Sequence, residues 1–244
     1  MTALSFLLWG VLPYVVLAIF IGGTVWRYRY DRFGWTTRSS QLYESRLLRI
    51  GSPMFHFGIL VVIIGHVVGL LIPQSWTLAL GVSDTAYHIV ALSLGLVAGI
   101  ATLAGIALLI WRRRTVGPVF TATTNNDKTM YLVLVAAILA GLAATGLSAI
   151  AELRGTPEVD YRQTVSVWFR SIWVLQPDVS AMSAASTAFK AHVLVGLALF
   201  TLFPFTRLVH AFSAPVGYLF RPYIVYRTRD TTEDQSRRPI HRGW

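Results

Sequence analysis

Cysteine is absent from all 244 residues. That excludes disulfides, thiolate metal sites and iron–sulfur clusters held by the usual cysteine set. Charge is the second scarcity: Asp, Glu, Lys and Arg make up 13% of the chain, against about a quarter in a soluble domain. Internal repeats and low-complexity tracts are also missing. With 55% hydrophobic residues and a mean hydropathy of +0.58, the chain has apolar surface that calls for a lipid solvent. The first apolar stretch has no basic leader and no small-residue cleavage site, and it is too long for a signal-peptide core. It therefore reads as a retained helix.

A helix needs about 20 apolar residues to cross a hydrocarbon core of ~30 Å. Five stretches meet that length: Leu4–Trp26, Pro53–Pro73, Ala86–Trp111, Met130–Ala151 and Ala188–Phe212. The expected fold is all-α, an integral membrane bundle of five transmembrane helices over 1–229, with a polar tail at 230–244. Lys and Arg number six in 27–50, none in 74–85, four in 112–129, three in 152–187 and six after 212. Basic loops stay in the cytoplasm, so this alternation puts the N-terminus outside and the C-terminus in the cytoplasm. The net charge of +10 is then explained by topology and anionic lipid, without nucleic acid.

Of six histidines, four lie in two of these helices: His56 and His66 in the second, His192 and His210 in the fifth. Ionisable residues within a membrane span are costly and point to function. Neither helix contains Asp or Glu to act as a proton partner. The two helices run antiparallel, which pairs His66 with His192 towards the outside and His56 with His210 towards the cytoplasm. Two bis-histidine sites stacked across a bilayer suit a flat macrocycle with an axial imidazole from each helix. In straight helices the His56–His66 rise is ~15 Å and the His192–His210 rise ~27 Å. The mismatch requires a tilt or a bend, and Pro204 is placed to kink the fifth helix. Gly58, Gly65, Gly69 and Gly196 give room for a macrocycle or a neighbouring helix. Arg112, Arg113 and Arg114 end the third helix, where they either anchor topology or pair with carboxylates of a cofactor, Arg112 being the candidate.

The motifs Phe55-His56, Gly65-His66 and Gly69-Leu70-Leu71-Ile72-Pro73 resemble the second helix of the gamma subunit of respiratory nitrate reductase. The segment from Phe203-Pro204-Phe205 to His210, leading into Pro215 and Tyr218-Leu219, resembles that family as well. So do Trp26-Arg27-Tyr28-Arg29-Tyr30 and Ser39-Ser40-Gln41. The resemblance runs to about Arg229. It implies a multi-pass cytochrome b with two haem b groups in the plasma membrane of a prokaryote. Such a subunit oxidises quinol (menaquinol or ubiquinol) near the outer haem. It passes electrons to an iron–sulfur (beta) subunit and then to a molybdenum (alpha) subunit that reduces nitrate. It also implies that His66 and His192 hold the outer haem iron, and His56 and His210 the inner one. Gly65, His66 and Gly69 are the quinol-site candidates. The family pattern has a lysine after the second helix, and segment 74–88 has none. His88 and Asp84 are the nearest polar substitutes; the alternative is an interfacial His88 without a role.

Two rival classes stand beside this one. A transporter relaying protons through its histidines would need acidic partners in the same helices. The cytochrome b anchors of formate or succinate dehydrogenase share the chemistry but differ in histidine spacing and helix number. On the cytoplasmic side, segment 27–50 and the tail, with Tyr218, Tyr223 and Tyr226 among arginines, are expected to dock soluble subunits, and His241 is expected to be solvated. Segment 165–174 reads as an interfacial helix with aromatic anchors, over the outer haem or the quinol entry, or as plain anchoring.

Overall fold

Every long element found is helical. The computed structural model describes residues 2–31, 34–35, 40–156 and 160–213, which fall in the compact unit Met1–Ser213. The tail with Pro215, Tyr218, Tyr223, Tyr226 and His241 lies outside the described residues, as do Arg32, Arg38 and Glu158. Among the described residues, five helices are long and apolar enough to cross a membrane: Ala3–Tyr30, Arg46–Leu71, Asp84–Thr115, Asn125–Leu153 and Thr187–Phe205. Polar caps set some of their ends beyond the apolar runs. Ser83 accepts a hydrogen bond from Ala86 N–H at the third, and Thr124 and Asp127 form a capping box at the fourth.

The fifth helix departs from the expected continuous run over 188–212. Its α-helical part ends at Leu202, Phe203–Phe205 forms a 3₁₀ turn, Thr206 is extended, and Arg207–Ser213 forms a second 3₁₀ segment. Pro204 supplies no N–H to continue the ladder. The freed carbonyls find side-chain donors from other helices. Arg27 donates to Pro204 O at 2.8 Å and Thr206 O at 2.9 Å, and Asn126 donates to Phe205 O at 2.6 Å. Beyond the break, Arg207 forms a two-point ion pair with the buried Asp127. Gly23 lets the first helix approach, since a Cβ there would sit 2.9 Å from Pro204 Cβ.

The second long helix packs on the third, while the fifth packs on the fourth and first. The tightest point is Gly105, where a Cβ would lie 2.4 Å from the backbone nitrogen of Phe55. Backbone cannot yield as a flexible side chain can. Gly105→Ala is therefore expected to cost at least about 1–3 kcal/mol through overpacking. Thermal melting of the purified chain in detergent checks it; an unchanged melting temperature would contradict so close a crossing.

Segment 165–174 does form a helix, Val165–Trp173, but it is more than a surface anchor. Ser166 and Trp168 are fully buried in a core that includes Trp9, Ile172, Val179 and Met182. Pro13 cannot donate to the carbonyl four residues before it, that of Trp9. The Trp168 indole N–H takes that carbonyl at 2.7 Å. Ser166 donates to Gly69 O at 2.8 Å and Arg170 to Leu70 O at 3.1 Å, so the short helix caps the C-terminal end of the second long one.

Candidate functional site

The four span histidines form two facing pairs. The ring centres of His66 and His192 are 5.9 Å apart, and those of His56 and His210 are 6.1 Å apart. The break in the fifth helix makes this possible. His192 to Leu202 covers as many residues as His56 to His66, a rise of about 15 Å in each helix. After Leu202 the regular α-helix gives way to 3₁₀ turns around the extended Thr206, and His210 comes opposite His56. The mismatch of rises inferred for straight helices is thereby removed.

Backbone carbonyls orient three of the four rings. His56 Nδ1 is 2.7 Å from Ser52 O, His66 Nδ1 is 2.8 Å from Val62 O, and His210 Nδ1 is 2.5 Å from Arg207 O. A carbonyl only accepts, so Nδ1 carries the proton and Nε2 keeps its lone pair. Such a second bond fixes the tautomer of a metal-binding histidine and strengthens it as a ligand. The fourth ring, His192, has a buried Nδ1 without a hydrogen-bond partner. The ring lies close against Gly141 on the fourth helix, where a Cβ would come 3.0 Å from its Cε1. Histidine spacing gave no hint of Gly141.

These residues fit a haem iron. Two imidazoles that each bind one metal at about 2 Å have ring centres about 6 Å apart, as both pairs do. Each pair offers two facing imidazoles, the donor set of a macrocycle with two axial ligands. The expected glycines divide. A Cβ at Gly58 would lie 2.5 Å from the Thr102 hydroxyl and one at Gly69 3.1 Å from the Tyr161 hydroxyl, whereas a Cβ at Gly65 or Gly196 would meet nothing within 4 Å. The first two serve packing; the second two lie beside the His66–His192 pair.

Arg112 is committed to protein partners. It is buried, with Nε donating to Glu44 at 2.6 Å, Nη1 to Ser40 Oγ at 2.8 Å, and Nη2 to the carbonyls of Ser40 at 2.7 Å and Glu44 at 2.6 Å. Burial works against the Glu44 carboxylate, but the Leu47 N–H and the Arg112 guanidinium hold its pKa below the ordinary value. Arg112 thus locks the connection between the first and second long helices to the end of the third.

The remaining quinol-site candidates occupy the His66–His192 end. His88 Nε2 is 3.3 Å from Asp160 and its Nδ1 is 3.9 Å from Glu152, while Asp84 accepts from Gln74 at 2.8 Å. Between them and His66 lies a layer that the sequence did not mark: Tyr87, Tyr161 and Arg162. The two phenols share a hydrogen bond of 2.9 Å. Burial, helped by that bond, pushes the Tyr161 pKa up, so the phenol stays protonated.

The profile of the nitrate reductase gamma subunit family matches residues 5–229. The nitrate reductase-like protein NarX of Mycobacterium tuberculosis is 66% identical over 98% of this chain, which spans 36% of that longer protein. The nitrate reductase gamma chain of Bacillus subtilis is 45% identical over 91% of this chain and 98% of its own length. The respiratory nitrate reductase 2 gamma chain of Escherichia coli is 34% identical over 93% and 98% respectively. The chain therefore belongs to the nitrate reductase gamma subunit family.

Proposed function

We propose that this chain is the membrane-anchoring cytochrome b subunit of a nitrate reductase, carrying electrons from quinol to a soluble partner. The observation that carries the proposal is the two histidine pairs with ring centres 5.9 and 6.1 Å apart. In this reading His66 and His192 hold one haem b, and His56 and His210 hold the other. Haem b, when bound, supplies one-electron redox chemistry.

The chain's own residues do the rest. The carbonyls of Ser52, Val62 and Arg207 hold Nδ1 of three rings and present Nε2. None of those Nδ1 atoms is paired with a carboxylate, which favours ligation over a proton relay. Quinol is oxidised at the His66–His192 end near Gly65, with Gly69 behind the Tyr161 hydroxyl. His88, between two carboxylates, is placed to accept a quinol proton. The charge alternation orients this end outward, so protons leave outside and electrons travel inward. Each charge moved works against or with about 2.3 kcal/mol per 100 mV. The His56–His210 end then faces the cytoplasm, where iron–sulfur and molybdenum subunits would dock and reduce nitrate.

A reduced-minus-oxidised visible spectrum of the detergent-solubilised protein, with haem quantified per polypeptide, tests the proposal. Two b-type haems per chain are expected. Folded protein without haem would overturn it.

A further inference from the structure

Arg162 is the most unusual charged group among the described residues. It is 2% exposed, and its Nε and Nη1 are buried without a hydrogen-bond partner. Only Nη2 is engaged, with Thr77 Oγ1 at 2.9 Å, while the guanidinium lies over the Tyr87 ring at 3.9 Å from its centre. A second cation is close by: Arg170 donates to Leu70 O at 3.1 Å, and its pKa is lowered by burial and then by the Arg162 charge. Neither arginine forms an ion pair with a described carboxylate. Asp160 meets Arg162 only at its backbone N–H and turns its other oxygen to His88. Burying an uncompensated cation costs several kcal/mol, so Arg162 calls for an anion.

The position of the layer says which one. A Cβ at Gly69 would lie 3.1 Å from the Tyr161 hydroxyl and 3.5 Å from that of Tyr87, and Gly69 is one helical turn beyond His66. The Tyr161 ring stacks on Phe189 at 5.7 Å, and Phe189 is one turn before His192. Counted from either helix, the paired phenols lie about one turn, ~5 Å of rise, outside the histidine pair; the Arg162 guanidinium lies on the Tyr87 ring, and Arg170 reaches the carbonyl of Leu70, next to Gly69. A b-type macrocycle between those rings carries two carboxylates on short flexible arms at one edge. Two guanidiniums match two carboxylates in charge, and the free Nε and Nη1 of Arg162 form the fork that binds a carboxylate at two points.

We propose that Arg162, with Arg170 beside it, is the carboxylate-binding site for the propionates of the haem between His66 and His192. The assignment rests on the haem reading above. Its test is a redox titration of both haems in the intact complex, for wild type, Arg162→Gln, Arg162→Lys and Arg170→Gln. Removing a cation beside one haem stabilises its oxidised form. Arg162→Gln should therefore lower the midpoint potential of the haem that His192→Ala abolishes and leave the other unmoved. The potential should also gain a pH dependence as the unpaired carboxylate takes up a proton. Arg170→Gln should give a smaller shift of the same sign, and Arg162→Lys should restore most of the loss. If Arg162→Gln fails to retain that haem, selective loss rescued by Arg162→Lys supports the site. Loss of both haems in both variants shows a folding role and overturns it. Two haems with unchanged potentials overturn it too, and a raised KM for quinol in that case would give Arg162 to the substrate instead. A wild type without haem would be a failure of the underlying reading, recognisable as such before any variant is made.

Discussion

Replacing His192 with alanine should reduce the haem content from two per chain to one, and His66→Ala should remove the same haem. His56→Ala and His210→Ala should both remove the other. The expectation follows from the two ring-centre separations of 5.9 and 6.1 Å, since a ligand lost on either side of one site empties that site alone. Quinol-driven electron delivery should fall by at least about 10²-fold in all four variants, because loss of a residue that merely supports a ligand already costs 10–100-fold. A soluble reductant that feeds the partner directly should be used at nearly the wild-type rate. Low-temperature difference spectra of the four variants decide the matter. If His66→Ala and His192→Ala removed different haems, the pairing would be wrong.

Asp127→Ala is expected to have the next largest effect. Asp127 is 4% exposed and does two jobs. Its backbone N–H and carboxylate close the capping box with Thr124 at 3.1 and 2.9 Å, and the same carboxylate pairs with Arg207. Removing one partner of a buried ion pair costs about 3–5 kcal/mol, and the carboxylate's hydrogen bond to the Thr124 N–H is lost as well, while the Thr124 cap itself remains. Arg207 has a side chain 28% exposed to solvent, which relieves part of its isolation, so about 3 kcal/mol is the better expectation. Arg207 is three residues from His210 and offers the carbonyl that orients it. The damage should therefore fall first on the His56–His210 haem. Thermal melting followed at the haem band would show that haem released earlier than in wild type. Coincident release of both haems at the wild-type temperature would show that the pair does not hold the segment.

The parts of this molecule that were legible in its sequence are those set by local composition. Long apolar runs showed the five helices, and four histidines on two of them suggested the pairing. Pro204 marked the place where the fifth helix departs from regularity. Its outcome was not legible, because the break is held open by Arg27 and Asn126, each distant in sequence and each donating to a carbonyl that exists only once the helix has ended. The burial of Trp168 was hidden for the same reason: its acceptor on Trp9 is created by Pro13 in another helix. Arg112 looked like a cofactor partner because a guanidinium suits a carboxylate of any origin; Glu44 is the one it meets. Arg162 read as one more loop charge, and only its burial separates it from the others.

The interruption at Thr206 also divides the fifth helix into two mechanical units. His192 rides on a hydrogen-bonded rod, Thr187–Leu202, whereas His210 rides on a short strap tied to the first and fourth helices by Arg27, Asn126 and Arg207. A rod transmits a push along its whole length; a rod ended by an extended residue does not. Load applied to the strap is carried sideways into the neighbouring helices. The His56–His210 site is thereby held by contacts separate from those that hold the His66–His192 site, about 15 Å of helix away.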